Sequence, residues 1–314
     1  MPMSLKKRRW WFLLLAVCYA VFVAVHYPLD TDKPATMTIL ETTTQEFYDE
    51  AFQAPEQKET DYERIARQAS EVMNVKQRVA QFVEKYQLQD KKVLEVGAGA
   101  GSLQDIVGDY TGLDISASAR RHFRKPFVHA SATHMPFAAD HFDAIWSIWV
   151  LEHIPTPEMA LSEMRRIVKD GGYIYLMPAW NCTWWGAQGY DVRPYADFGL
   201  RGKAIKASLP VLQSKLYRAF HTLPVGYLRW AAALTGGPTR LRYHRLTPNY
   251  DKYWQADSDA AVSIDSFETY LWFHSRGDAC LSCPAEVSVP LVGYDAMVIR
   301  VRKPGQMMRA GIKH

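Results

Sequence analysis

The stretch that most constrains this chain is Val93-Leu94-Glu95-Val96 running straight into Gly97-Ala98-Gly99-Ala100-Gly101. A short apolar run closed by glycine reads as a buried parallel strand. Glycine lacks a Cβ and tolerates positive φ, so the loop that follows lets backbone come close to a ligand. Loops of this kind sit at the carboxyl ends of strands, where doubly wound α/β folds bind nucleotides. The spacing is G-x-G-x-G followed by Ser102, which tilts away from the fingerprint of NAD and FAD sites.

The surrounding pattern agrees with such a fold. Further strand candidates are 110–115, 144–148 and 173–177, with a closing pair near 285–289 and 296–301. Helical segments fall between several of them, notably 157–168, which stops at Asp170-Gly171-Gly172 as a helix end should. Strands alternating with helices predict a mostly parallel sheet covered on both faces. The last two strands, joined by a short turn, predict a C-terminal antiparallel hairpin at its edge. Ahead of the first strand, Ile65, Ala69, Val72, Val75, Val79, Phe82 and Val83 recur at helical spacing, so one long helix or two abutting ones are expected over 61–87. Residues 30–60 are polar, with Pro34, Pro55 and a Thr run, and read as a linker.

The N-terminus has a different character. Lys6, Lys7, Arg8 and Arg9 precede an uncharged run over 10–27, closed by Pro28. As a helix that run spans about 27 Å, enough to cross a bilayer core. Trp10, Trp11 and Tyr27 stand at its two ends, where amphipathic rings favour the headgroup level. A cleaved signal peptide competes, but Cys18-Tyr19-Ala20 is its one passable exit. Residues 1–29 are therefore expected to be a retained membrane anchor. The composition, 48% hydrophobic and 22% charged, excludes disorder as the main state. Cys280 and Cys283 form one C-x-x-C without the second pair that a structural zinc site needs, so they read as incidental and no metal is expected.

Asp114 ends the second strand candidate. A carboxylate there can accept from both hydroxyls of a ribose, or it can simply cap the next helix. Beyond these two elements lie Ser131-Ala132-Thr133-His134-Met135-Pro136-Phe137, Phe142-Asp143, Leu151-Glu152-His153-Ile154, and the segment from Arg166 to Gly172. Taken in order, the series over residues 90–180 resembles the class I S-adenosylmethionine-dependent methyltransferases, specifically the type 11 group. The resemblance implies a Rossmann-like domain at 61–180 and 285–303, interrupted by an inserted cap at 181–284 and followed by a basic tail at 304–314. It implies S-adenosylmethionine as cofactor. Gly97, Ala98, Gly99 and Gly101 would line its methionine and ribose end, with Glu95 near the amino group. Asp114 and Ile115 would hold the ribose, and Ser131 and Ala132 would lie by the adenine. The family usually has Asp where this chain has Ser131. Only eight residues separate Gly101 from Tyr110, so the helix after the loop is expected to be short.

A sulfonium methyl group is already activated, so the protein mainly aligns an acceptor and excludes water. A base is needed when the acceptor is a hydroxyl. His153 is the candidate, against a structural role at a helix start, whereas His129, His134 and His141 read as surface-loop residues. Residues 201–245 hold nine Lys or Arg and no acid, interleaved with Leu216, Phe220, Leu228 and Trp230. That pattern suits an anionic membrane surface, or a solvated face over a small core. Asp251, Asp257, Asp259 and Asp265 then accompany Tyr250, Tyr253, Trp254, Tyr270 and Trp272, a mixture suited to sugar hydroxyls. The expectation is a methyltransferase acting on oxygen of a lipid or lipid-linked saccharide. The competing readings are a catalytically silent scaffold and another enzyme using this cofactor or a nucleotide. No nucleic-acid module is present, so no nucleic-acid partner is expected. The positive-inside rule would carry the domain across the membrane, but the cofactor is cytosolic, and the catalytic domain is expected on that side.

Overall fold

Five parallel strands grow outward from the strand that feeds the glycine loop. In the computed structural model, which describes residues 5–33, 37–53, 60–252, 254–283, 290–291, 293 and 295–303, these are β1 (Val93–Val96), β2 (Tyr110–Asp114), β3 (Phe127–His129), β4 (Phe142–Ile148) and β5 (Val168–Met177). Two short strands, β8 (Ala279–Cys280) and β9 (Met297–Arg300), complete a sheet of order β3-β2-β1-β4-β5-β9-β8. β9 runs antiparallel to both β5 and β8. β9 thus lies antiparallel between β5 and β8, and the expected hairpin partner at 285–289 lies outside the described residues.

Successive residues of the strands feed two cores. Leu94, Leu113, Ile145 and Ile174 face helix α5 (Pro157–Ile167), whose Ala160, Leu161, Met164 and Ile167 form a fully buried stripe. Val93, Ala144, Trp146 and Tyr175 face helix α4 (Val75–Lys85) through Val79, Phe82 and Val83. The predicted helical stretch before the sheet is two abutting helices, α3 (Asp61–Val72) and α4, broken at Asn74 with φ 52°. No helix follows the glycine loop: residues 102–109 make only turns and bends. Eight residues must cover a strand-to-strand return there, which leaves too few for a helix to propagate.

Residues 37–51, inside the expected linker, form helix α2 (Met37–Ala51). It is docked on the carboxyl ends of the strands, with Asp49 accepting from Ser116 Oγ at 2.8 Å and Tyr48 donating to Asp259 at 2.6 Å. The insertion holds α6 (Trp184–Ala187), α7 (Leu200–Leu212), α8 (Lys215–Thr235), a two-stranded sheet of β6 (Tyr243–Arg245) and β7 (Val262–Ile264), and α9 (Ser266–His274). Its second half is not a detached cap. Leu241, Tyr243, Val262, Ile264, Trp272 and Phe273 sit in one core with Leu161, Ile174 and Ile299.

The N-terminal run folds as α1 (Leu5–His26). Arg8–His26 has a mean hydropathy of 1.7 and is almost wholly exposed, so it is long and apolar enough to cross a membrane. Its far end behaves differently from the expected headgroup belt. Tyr27 is buried and donates to Glu268, and Tyr217 of α8 bonds to His26 at 2.7 Å. On α8, Arg218 pairs with Asp265 and Arg229 with Glu268. These cations of the basic segment therefore point into the protein, while Leu216, Phe220 and Leu228 remain outside. Cys280 and Cys283, read as incidental, form a disulfide.

Candidate active site

The glycine loop is shaped by what it must pass. Gly97 has φ 72°, and a Cβ there would lie 2.2 Å from Val150 Cγ2. The amides of Gly97 and Ala98 both donate to Leu113 O, at 2.8 and 3.0 Å, which ties the loop to the end of β2. Gly99 N–H donates to Asp114 Oδ2 at 2.8 Å and Ser116 N–H to Oδ1 at 2.9 Å. Asp114 thus holds the backbone of the loop and of Ser116 and lines the cleft, but it does not cap the short helix that follows, whose N-cap is Ala117. An ionised carboxylate has about four acceptor positions, so two backbone donors leave room for ligand hydroxyls. Burial raises the pKa of Asp114, and the two amides oppose that rise.

A cleft opens at this point. Gly97, Gly99, Asp114, Ile115, Ser131, Ala132 and His153 all line it. Glu95 and Ala98 instead line an adjoining cleft that shares Gly97, Gly99, Phe52, Tyr62 and Trp149 with the first. The Glu95 carboxyl is pushed up to about 8 by burial, although Tyr110 donates to it at 2.5 Å and the nearby Trp146 also favours its charged form. Gly101 lines neither cleft; a Cβ on it would crowd Gln104 and Phe123.

The roof of the cleft comes from α2 and the residues beside it: Glu41, Thr44, Tyr48, Phe52 and Tyr62. The sequence reading missed these residues. A signal was present, because Glu41, Thr44, Tyr48 and Phe52 follow one helical stripe.

His153 lies on the short turn after β4, nearly buried, among three acids. Its Nδ1 is 3.3 Å from Asp259 Oδ2, and its Nε2 is 3.7 Å from Glu152 Oε1 and 4.0 Å from Asp257 Oδ1. Asp259 Oδ2 accepts from Tyr48, and Glu152 Oε1 accepts from Ala179 N–H at 3.0 Å. Glu152 Oε2 and Asp259 Oδ1 are buried with no hydrogen-bond partner among the described residues. Burial disfavours the imidazolium, but Asp259, Glu152 and Asp257 outweigh it and raise the pKa of His153. Burial likewise lifts the Glu152 carboxyl. Glu152, His153 and Asp257 bring three ligand atoms within 4.8 Å of one another, so they could hold a metal ion, which no sequence spacing had suggested. His134 is exposed outside any helix or strand, as expected; His129 is exposed but ends β3, and His141 is half-buried. Asp251 and Asp265 stand apart from this cluster; Asp265 caps α9, and Tyr253 lies outside the described residues.

Residues 94–176, from within β1 to the end of β5, match the family described as a methyltransferase domain. This segment is a methyltransferase domain. The chain is 33% identical over 106 residues to the ubiquinone biosynthesis O-methyltransferase of Dechloromonas aromatica, covering 28% of this chain and 44% of that protein. It is also 35% identical over 92 residues to the demethylmenaquinone methyltransferase of Renibacterium salmoninarum, covering 26% and 38%. The chain therefore spans less than half the length of these curated relatives. Among solved structures, phosphoethanolamine N-methyltransferase 1 of Haemonchus contortus is similar at 16% identity and TM-score 0.38, over 46% of this chain and 33% of that one. The methyltransferase domain contains Asp114, Ser131 and His153, whereas Glu41, Asp257 and Asp259 lie outside the matched segment.

Proposed function

We propose that this chain is an S-adenosylmethionine-dependent methyltransferase working at a membrane, on an oxygen of a lipid or lipid-linked saccharide. The observation that carries the reading is one cleft that joins Gly97, Gly99 and Asp114 to His153. When bound, the cofactor supplies a sulfonium methyl group that needs alignment more than activation. The chain's own residues supply the rest. Asp114 and Ile115 hold the ribose, Ser131 and Ala132 face the adenine, and Phe52, Tyr48 and Tyr62 roof the cleft against water. His153 takes the acceptor's hydroxyl proton, with Asp259, 3.3 Å from Nδ1, stabilising its charged form. The O-methyltransferase name of one relative supports oxygen as the accepting atom.

The membrane part rests on exposed apolar surface. Trp10, Phe12 and Leu15 on α1 and Leu216, Phe220 and Leu228 on α8 stand in the open, and the two helices touch through Tyr19 and Phe220 O at 2.7 Å. With Arg218 and Arg229 already paired inward, lipid contact on α8 is mainly apolar. Cofactor supply places the catalytic domain on the cytosolic face. The test is to incubate the full chain in lipid vesicles with methyl-labelled S-adenosylmethionine and a membrane lipid extract. Label is expected in the lipid fraction and absent with Asp114→Ala. Label confined to water-soluble products would overturn the lipid acceptor.

A further inference from the structure

The position that departs from the family's pattern has a neighbour that repairs it. Ser131 offers a hydroxyl where an acid is usual, and a hydroxyl accepts from an amine more weakly than a carboxylate does. Ser131 Oγ donates to Glu41 Oε1 at 2.7 Å, and Thr133 Oγ1 donates to the same oxygen at 2.8 Å. Thr133 N–H in turn donates to Ser131 Oγ at 3.1 Å. The Ser131 hydroxyl is thus occupied in holding Glu41, and the negative charge at this corner belongs to α2. Glu41, Ser131, Ala132, Ile115 and Asp114 all line the same cleft.

We propose that Glu41 is the purine-recognising acid of this cleft, accepting the exocyclic amino group of a 6-aminopurine in place of the acid that position 131 lacks. This rests on reading the cleft as an S-adenosylmethionine site. A carboxylate can accept hydrogen bonds but cannot donate them. It therefore favours a 6-amino group and opposes a 6-oxo group, whose lone pairs would face it. The cofactor site is then completed from outside the methyltransferase domain. Helix α2 must be docked for it to work, and Tyr48 on Asp259 and Asp49 on Ser116 provide that docking. Ser131 and Thr133 become positioning residues that aim Glu41.

The test is calorimetric titration of the detergent-solubilised full chain with S-adenosylhomocysteine and its 6-oxo counterpart, S-inosylhomocysteine. The wild type is expected to prefer the amino compound by about tenfold or more, the size of one charge-assisted hydrogen bond. Glu41→Gln keeps the acceptor for Ser131 and Thr133 but adds a donor, so it should level or invert that preference. Glu41→Ala should lose the preference, and Ser131→Asp in that background should restore it. A merely structural Glu41 would weaken both ligands alike and leave their ratio unchanged. Tight binding with the wild-type ratio in Glu41→Gln overturns the role of Glu41 while the cofactor reading stands. Binding of neither ligand to folded wild type removes both.

Discussion

Gly97 shows how little freedom the loop has at single-residue scale. Its φ of 72° is the left-handed region, and Val150 fills the space where a Cβ would go. Gly97→Ala is expected to destabilise the fold by about 1–3 kcal/mol through overpacking and to weaken S-adenosylhomocysteine binding more than tenfold, as melting curves and titration would show. His153 gives a second residue-scale prediction. As a base it acts when neutral, so activity should rise with pH through its raised pKa. Asp259→Asn removes the nearest negative charge, lowers that pKa and should move the rise to lower pH; an unmoved profile would remove His153 as the base. For stability the sign is opposite. A raised histidine pKa contributes stability below the ordinary value, and this is lost as pH rises through the folded-state value. Residues in one contiguous motif, such as Gly97, Gly99 and Asp114, were legible in the sequence because strand, loop and acid follow each other. Glu41 in the cleft and the contact of Asp259 with His153 were not, since each comes from far along the chain and only folding brings it there.

At the scale of elements, legibility followed burial. β1, β2 and β4 are buried on both faces and read as apolar runs, and α5 presents a continuous apolar stripe. β3 is three residues, two half-buried and one exposed, and β8 only two, too short to leave a pattern. Helix α2 hid behind Thr42, Thr43 and Thr44, β-branched residues of modest helix propensity. It also packs on a cleft rather than on the main core, so its buried stripe is sparse. Its docking gives the third prediction. Tyr48→Phe deletes the hydroxyl that satisfies buried Asp259, which should cost about 1–3 kcal/mol. Hydrogen exchange should speed up over 40–51 while α5 stays protected; equal exchange in both helices would show that this bond does not hold α2.

The whole molecule couples an apolar N-terminal helix to the insertion and the insertion to the cleft. α1 ends in the packing of α8 and α9 through Tyr217 and Glu268, and the loop between β6 and β7 delivers Asp257 and Asp259 to His153. The proposed cytosolic placement predicts that protease added outside sealed cells leaves residues 60–303 intact. Digestion there would place the domain on the opposite face, where the basic residues at the start of α1 and the Cys280–Cys283 disulfide would direct it. The most direct test of the central claim is calorimetric titration of S-adenosylhomocysteine into the full chain and into Asp114→Ala. Micromolar binding by the wild type, lost in a variant that still melts cooperatively, is the predicted result. No binding by folded wild type, or equal binding by both, would contradict a cofactor site built on Asp114.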